Sequence, residues 1–409
     1  MPDYEVYVGV DWATQHHQVS VVDPTGQRRE ERQVPHSGSG LAELVDALTH
    51  LVSDPQRIAV AIEVPRGAIV DTLLERGCHV FALNPKQLDR FRDRHTVAGA
   101  KDDRRDAFVL ADALRTDRHA FRRLDVEAPV VIQLREMSRL HGDLVEETSR
   151  LTNRLREQLW RFYPQALTHC PAANEPWLWE LLQLAPAPAQ AARLTRSALA
   201  ALLARHRIRR LAAAELLTAL RAPALHVAAG TVEAASEHIS LLLPRLALVH
   251  EQRTRCERRL DALLKAAALT ADEVLEHRDV TILRSLPGVG RVVAATMLAE
   301  ASRPLAARDY QSLRTHAGAA PVTRQSGKAR YVVMRRSCNA RLRAAVFHWA
   351  SNSIRLDARC RAHYQRLRQR HGHARALRGL ADRLLGVLIA MLRTRTLYDS
   401  QRCRHALAA

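Results

Sequence analysis

The sequence predicts a multidomain α+β protein with a mixed β-sheet and helices in its N-terminal part and mostly helices in the remainder. Segments with the alternation of half-buried strands, or with short apolar runs, lie before Val131. From about Val131 onward, hydrophobic residues recur instead at steps of three and four, which is typical of helices. With 409 residues, 47% of them hydrophobic, the chain can bury several cores. We expect three domains, at 1–125, 126–270 and 271–409.

The N-terminal segment alternates between strand-like and helix-like patterns. Residues 4–11 and 18–22 alternate like half-buried strands, and a turn at Pro24-Thr25-Gly26 follows them. The elements expected after that turn are a strand near 33–34, a helix at 41–51, a strand at 58–62, a helix at 68–76, a strand at 80–83 and a further helix. Three adjacent antiparallel strands followed by alternating strands and helices is the order of an RNase H-like domain.

Two long helical arms are predicted in the middle of the chain. The first has a heptad-like seam with three polar members, consisting of Leu134, Met137, His141, Leu144, Thr148, Leu151, Leu155, Gln158 and Phe162. The second runs from about Val232 to Leu264, and we expect Pro244 to bend it. The two arms could pair as an antiparallel coiled coil or form an interface between subunits. A helical insertion at about 170–230 separates them.

The charge balance predicts a polyanionic partner. Lys and Arg number 62 against 43 Asp and Glu, which gives a net charge of +19. Between Arg324 and Arg378 there are fifteen basic residues and one acid, Asp357. We interpret this stretch as a surface that tracks a nucleic-acid backbone, with Trp349 and Tyr364 available for stacking. Its candidate phosphate contacts are Arg324, Lys328, Arg330, Arg335, Arg336, Arg341 and Arg343.

A glycine turn precedes this basic stretch. Gly288 and Gly290 lie in the segment Leu286-Pro287-Gly288-Val289-Gly290, between two helical runs. Such a turn exposes backbone N–H groups that can hold a DNA phosphate, as in helix-hairpin-helix modules. The same sequence is also common in ordinary turns.

Cysteine usage and hydropathy bear on the location of the protein. The six cysteines are scattered, without a pair at zinc-finger spacing. No apolar segment approaches the roughly 18 residues needed to cross a bilayer, so no membrane partner is expected. The sequence therefore predicts a reduced cytoplasmic protein, which its basic charge would associate with the bacterial nucleoid.

Acidic residues end two predicted strands. Asp11 closes the apolar run Val8-Gly9-Val10, and Glu63 closes the run 59–62. Acids at the ends of neighbouring buried strands would project close together, and their repulsion would make the site unfavourable without a cation. Two-metal phosphodiester chemistry requires three or four converging carboxylates of this kind.

A third acidic element begins a predicted helix, in the run Lys101-Asp102-Asp103-Arg104-Arg105-Asp106-Ala107. Asp103 and Asp106 are three residues apart and share one helical face, as do Asp102 and Asp106, four apart. Aspartates in a first helical turn can also simply offset the helix dipole, and this is the interpretation we favour for Asp102. We expect Lys101, Arg104 and Arg105 to contact nucleic acid.

These motifs resemble those of the DEDD insertion-sequence transposases, which have a RuvC-like domain and include bridge-RNA-guided recombinases. The resemblance implies that Asp11, Glu63, Asp103 and Asp106 are catalytic carboxylates that bind Mg²⁺ or Mn²⁺. The family pattern is Lys-Thr-Asp-x-x-Asp-Ala, and this chain carries Asp102 in place of the threonine. Either Asp102 or Asp103 therefore remains a candidate for the third ligand.

The resemblance extends to a C-terminal transposase domain with a Gly-x-x-Pro segment followed by Ser-Gly, here residues 318–327. It implies that Ser326 is a nucleophile. Arg324, Lys328 and Arg330 could stabilise the charge that develops on a scissile phosphate. The family continues with Arg-Gly-Asn-x-x-Leu-Arg, whereas Cys338 replaces the glycine here.

The leading hypothesis is a transposase or site-specific recombinase that cleaves and rejoins double-stranded DNA. The resemblance further implies a structured guide RNA and a homo-oligomer, either a dimer or a tetramer, in which acids and serine meet from different subunits. Two alternatives stay open: a RuvC-like junction nuclease that uses water, and a non-catalytic nucleic-acid-binding scaffold.

Overall fold

A computed structural model describes residues 3–94, 102–269, 275–327 and 329–400. Within it the chain divides into two compact units, Met1–Ala128 and Pro129–Ala409. Lys101 and Lys328, two of the predicted nucleic-acid contacts, lie outside the described residues.

The first unit is built on a mixed six-stranded sheet in the order β3-β2-β1-β4-β5-β6. Its strands are β1 (Val6–Asp11), β2 (His16–Val22), β3 (Arg28–Pro35), β4 (Ile58–Ile62), β5 (His79–Ala82) and β6 (Arg122–Arg123). The pairs β1–β2, β2–β3 and β5–β6 are antiparallel, whereas β1–β4 and β4–β5 are parallel. The predicted mixed sheet is therefore confirmed.

Helices cover both faces of this sheet: α1 (Gly38–Leu51), α2 (Ala68–Glu75), α3 (Pro85–Arg92) and α4 (Asp103–Asp117). One core joins Val8 and Val60 to α1 and α2, and a second joins Ala59 and Ala61 to α3 and α4. Every residue of β4 is buried, because both of its faces are packed. That packing explains why β4 is a continuous apolar run rather than an alternating one.

The second unit is mostly helical. Its helices are α5 (Pro129–Phe162), α6 (Pro176–Leu184), α7 (Pro188–Ala191), α8 (Arg196–Arg205), α9 (Ala213–Leu220), α10 (Thr231–Leu269), α11 (Leu275–Ser285), α12 (Arg291–Glu300), α13 (Ser302–Ala306), α14 (Tyr310–His316), α15 (Ala340–Leu356), α16 (Ala358–Arg368) and α17 (His373–Thr394). A hairpin of β7 (Val322–Ser326) and β8 (Ala329–Val333) precedes α15.

The two predicted arms correspond to α5 and α10, which pack against each other. Cys256 Sγ lies 3.2 Å from the carbonyl oxygen of Met137, and Arg259 Nη2 donates to Gln133 Oε1 at 3.2 Å. The polar seam residue His141 is buried and lies 3.2 Å from Glu257 Oε1. Helix α10 continues through Pro244.

None of the helices in the described ranges is both long enough and apolar enough to cross a membrane.

Candidate functional site

The sheet of the first unit brings Asp11 and Glu63 to the same edge. Strands β1 and β4 are parallel neighbours, and Val10 pairs with Ile62. Asp11 and Glu63 are the next residues after this pair, so both acids lie at the carboxyl end of their strands. The carboxyl edge of parallel strands is the usual location of functional sites in such sheets.

Helix α4 reaches this edge because β1 carries a glycine. A Cβ at Gly9 would lie 1.9 Å from the carbonyl oxygen of Ala107 and 2.6 Å from the backbone nitrogen of Ala111. Only a residue without a side chain permits so close an approach of helix and strand. The contact holds the first turn of α4, which carries Asp106, against the strand that ends at Asp11.

The acidic residues of the α4 start differ in environment. Asp102 is the N-cap, and its carboxylate accepts a hydrogen bond from the backbone N–H of Arg104 at 3.2 Å. Asp103 is exposed in the first turn, whereas Asp106 is buried, with 2% of its surface exposed. The cap bond favours a structural role for Asp102, since Asp is among the residues preferred at N-caps.

Three of the predicted acids act on the charge of a fourth, Asp11. The pKa of Asp11 is raised to about 6, first by burial and then by Asp106, Asp103 and Glu63 in that order, while Arg92 opposes the shift. Each of these carboxylates is close enough to disfavour the charge on Asp11. Asp102 is not among the causes of the shift. The structure thus groups the acids predicted at 11, 63, 103 and 106.

An arginine that the sequence analysis did not single out neutralises part of this cluster. Arg92, the last residue of α3, donates from Nε to Asp106 Oδ1 at 2.5 Å and from Nη2 to Asp106 Oδ2 at 2.7 Å. Its Nη1 donates to Asp89 Oδ1 at 2.6 Å. Both oxygens of Asp106 are therefore engaged by one guanidinium, in the bidentate geometry that Arg and carboxylates form best.

The chemistry of the cluster fits the divalent metal that the resemblance implies. Carboxylate oxygens are the ligands that Mg²⁺ and Mn²⁺ prefer. Within the described residues, no three Asp, Glu, His or Cys side chains are already arranged to hold a metal ion.

Ser326 lies in the second unit, at the end of β7 and beside the hairpin turn. Its side chain is exposed, and Gly327 in the turn has a positive φ of +54°. Ser326 pairs with Ala329, and Gln325 pairs with Arg330. Because side chains alternate along a strand, Arg324 shares the face of Ser326, whereas Arg330 lies on the opposite face.

The predicted basic surface is divided between exposed and structural arginines. Arg336 is exposed, and Arg341 lies 3.2 Å from Asp143 in an exposed ion pair. Arg335 donates to the carbonyl oxygen of Ala320 at 3.3 Å, and Arg343 lies 3.6 Å from the Cys338 thiol. In the first unit, Arg104 lies 3.3 Å from Glu31 and is otherwise exposed.

The prediction that Trp349 is available for stacking is wrong. Trp349 is fully buried, and its indole N–H donates to the carbonyl oxygen of Pro287 at 3.0 Å. It thereby fixes the glycine turn between α11 and α12 against α15. Gly288 in that turn has φ +86°, and a Cβ there would lie 2.8 Å from the backbone nitrogen of Ser353. Packing alone therefore requires glycine at 288, whereas Gly290 is exposed with open space around it.

Two transposase family models match this chain, one in its N-terminal part and one in its C-terminal part. A DEDD family model described as a transposase matches residues 8–164, and the model of the transposase IS116/IS110/IS902 family matches residues 280–365. The chain is 36% identical over 406 residues to the mini-circle putative transposase for IS117 of Streptomyces coelicolor, covering 97% of this chain and 96% of that protein.

Two further relatives extend the comparison. The chain is 30% identical over 409 residues to an uncharacterized 43.6 kDa protein of insertion element IS110 from Streptomyces coelicolor, with 98% and 96% of the two chains covered. It is 53% identical over 206 residues to the putative transposase y4uE of Sinorhizobium fredii, which is 50% of this chain and 57% of that relative. The chain belongs to the IS116/IS110/IS902 family of transposases.

Proposed function

We propose that this chain cleaves and rejoins double-stranded DNA, with Asp11, Glu63, Asp103 and Asp106 as metal-binding carboxylates and Ser326 as the nucleophile. The observation that carries the metal site is the placement of Asp11 and Glu63 at the carboxyl ends of neighbouring parallel strands, with the first turn of α4 packed against Gly9. Burial and the other three acids together raise the pKa of Asp11 to about 6. Converging carboxylates of this kind form a site suited to a divalent cation.

In the proposed reaction the four acids hold divalent ions and Ser326 attacks the DNA. When bound, divalent ions supply polarisation of the phosphate oxygens and of the attacking hydroxyl. The Ser326 Oγ–P bond forms as one P–O bond of the DNA breaks, the serine proton passes to water, and the leaving oxygen takes up a proton. The resulting phosphoserine is then attacked by a hydroxyl of the strand to be joined, which frees the serine.

Two features of the hairpin support Ser326. Its hydroxyl is exposed at a turn, where a DNA strand can approach it. Arg324 lies on the same face of β7 and can stabilise charge that develops on the phosphate. The proposal also includes a homo-oligomer, a dimer or tetramer, in which the acids and the serine come from different subunits; this part rests on the family resemblance alone.

The nucleic-acid partners are part of the same proposal. The exposed arginines at 324, 330, 336 and 341 and the basic excess of the chain support DNA binding. A structured guide RNA is supported only by the family resemblance, because a basic surface does not distinguish RNA from DNA. Sequencing the RNA that copurifies with the protein tests the guide, since random cellular RNA in place of one discrete species would contradict it.

Covalent trapping tests the nucleophile. The protein is expressed together with the DNA that flanks its gene, and end-labelled DNA is resolved under denaturing conditions. We expect a protein–DNA adduct that Ser326→Ala abolishes and that Ser337→Ala, at an exposed serine of the same segment, leaves intact. Cleavage without any adduct would favour the water-using nuclease.

The acids are tested in the same assay. Asp11→Asn and Asp106→Asn should abolish cleavage, since the carboxylates are required to hold the cations. Binding of DNA should persist in both variants because the exposed arginines are unchanged. Cleavage that survives both substitutions would contradict the metal site, and absence of cleavage by the unaltered chain would leave the scaffold alternative.

A further inference from the structure

Arg92 pairs with two acids, one inside the acid cluster and one at the surface. It makes two hydrogen bonds to Asp106, at 2.5 and 2.7 Å, and one to Asp89 at 2.6 Å. The side chain of Asp106 is 3% exposed and that of Arg92 is 24% exposed, whereas that of Asp89 is 67% exposed. The guanidinium thus bridges a buried acid of the site and an acid at the surface.

A buried carboxylate needs a partner, and among the described residues the partner of the Asp106 carboxylate is Arg92. Leaving it unpaired in the interior would be strongly destabilising. The guanidinium satisfies both oxygens, and the small exposed fraction of Asp106 leaves little access to their remaining lone pairs. A divalent ion at these oxygens would also be repelled by the positive charge of Arg92 at this distance.

We infer that Arg92 is the counter-cation of the metal-free acid cluster and that it must release Asp106 when a divalent ion binds. This inference rests on the metal site of the proposed function. It assigns to Arg92 a positioning role that opposes metal binding, rather than a role in contacting the substrate.

Asp89 is a second ionic partner for the Arg92 guanidinium. It lies one turn before Arg92 on α3, and its carboxylate already accepts a hydrogen bond from Nη1. Arg92 can therefore give up Asp106 while it keeps an ionic partner at the surface. The exchange needs only rotation of the Arg92 side chain, so α3 itself need not unfold.

Metal affinity measured without DNA tests the inference. Titration calorimetry with MnCl₂ on the full chain should show binding on the order of tenfold tighter for Arg92→Gln than for the unaltered protein, since a competing unit charge is removed. Arg92→Lys keeps the charge but cannot pair with both oxygens, and we expect an intermediate affinity. The matched control is Arg94→Gln, because Arg94 pairs with Asp117 at 2.9 Å and should not affect Mn²⁺ binding.

Thermal unfolding supplies a second readout. Without divalent ions, Arg92→Gln should melt at a lower temperature than the unaltered protein, and MnCl₂ should raise its melting temperature by a larger increment. Unchanged or weaker Mn²⁺ binding in both Arg92 variants, with binding by the unaltered protein intact, would overturn the inference alone. If neither the unaltered protein nor Arg92→Gln bound Mn²⁺, the metal site would be wrong and the inference would fail with it.

Discussion

Replacing Gly9 by alanine should disrupt the candidate site without touching any of its charged residues. The added Cβ would lie 1.9 Å from the carbonyl oxygen of Ala107, whereas real Cβ contacts essentially never fall below 3.0 Å. The difference, 3.0 − 1.9, requires α4 and β1 to separate by about 1.1 Å. The obstructing atoms belong to helix backbone, so they cannot rotate away as a side chain would.

The size of the effect follows from this displacement. Overpacking a core typically costs about 1–3 kcal/mol, and we expect Gly9→Ala to reach the upper end because backbone must move. The shift also carries Asp106 away from Asp11. A misplacement of about 1 Å can lower the rate of a catalysed reaction on the order of a hundredfold.

Urea unfolding and DNA cleavage measure the two effects. Gly38→Ala is the matched control, since Gly38 begins α1 in the same unit and a Cβ there meets nothing within 4 Å. We expect the control to retain stability and cleavage. The reasoning would be refuted if Gly9→Ala unfolded within about 0.5 kcal/mol of the unaltered protein, which is the range of ordinary surface substitutions.

Three further predictions follow from individual residues. Asp103→Asn should weaken Mn²⁺ binding in calorimetry. Asp102→Asn should not, because asparagine is an equally good N-cap. An equal loss of Mn²⁺ affinity in the two variants would make Asp102 a ligand. The pKa of Asp11 is raised from 3.8 to about 6, so the folded, metal-free protein favours the protonated form of this residue. The stabilisation that this proton gives is fully present below about pH 4 and is lost as the pH rises through 6. Urea unfolding in EDTA should show that Asp11→Asn removes this decline, which amounts to about 1–3 kcal/mol; a parallel decline in the variant would contradict it. Gly288→Ala should cost about 1–3 kcal/mol in urea unfolding because of its positive φ and its contact with α15, whereas Gly290→Ala should be nearly neutral; similar losses in both would exclude the packing explanation.

The sequence predicted those parts of the first unit that depend on local pattern. The apolar runs that end in Asp11 and Glu63 identified β1 and β4, and parallel pairing then brings the two acids together. The helical spacing of Asp103 and Asp106 placed both at the start of α4. In each case the pattern of neighbouring residues specifies the element, and the element specifies where the acid points.

Features that depend on contacts between distant segments could not be predicted in this way. Arg92 is one of many arginines in the chain, and only the return of α4 beside the end of α3 gives it Asp106 as a partner. Trp349 is fully buried against Pro287 because α15 packs on the glycine turn, a contact that no local pattern contains. Strand β6 consists of Arg122–Arg123 alone, which is too short and too polar for a strand signal.

Two devices reduce the repulsion between the acids while no cation is bound. Asp106 is neutralised by Arg92, and the raised pKa of Asp11 lets that residue carry a proton when the pH falls toward 6. The devices oppose each other, because Arg92 also lowers the pKa of Asp11. Displacing Arg92 from Asp106 would therefore favour protonation of Asp11 unless a divalent ion took its place. If Arg92 releases Asp106 as proposed, its departure and the arrival of the metal are therefore coupled by electrostatics.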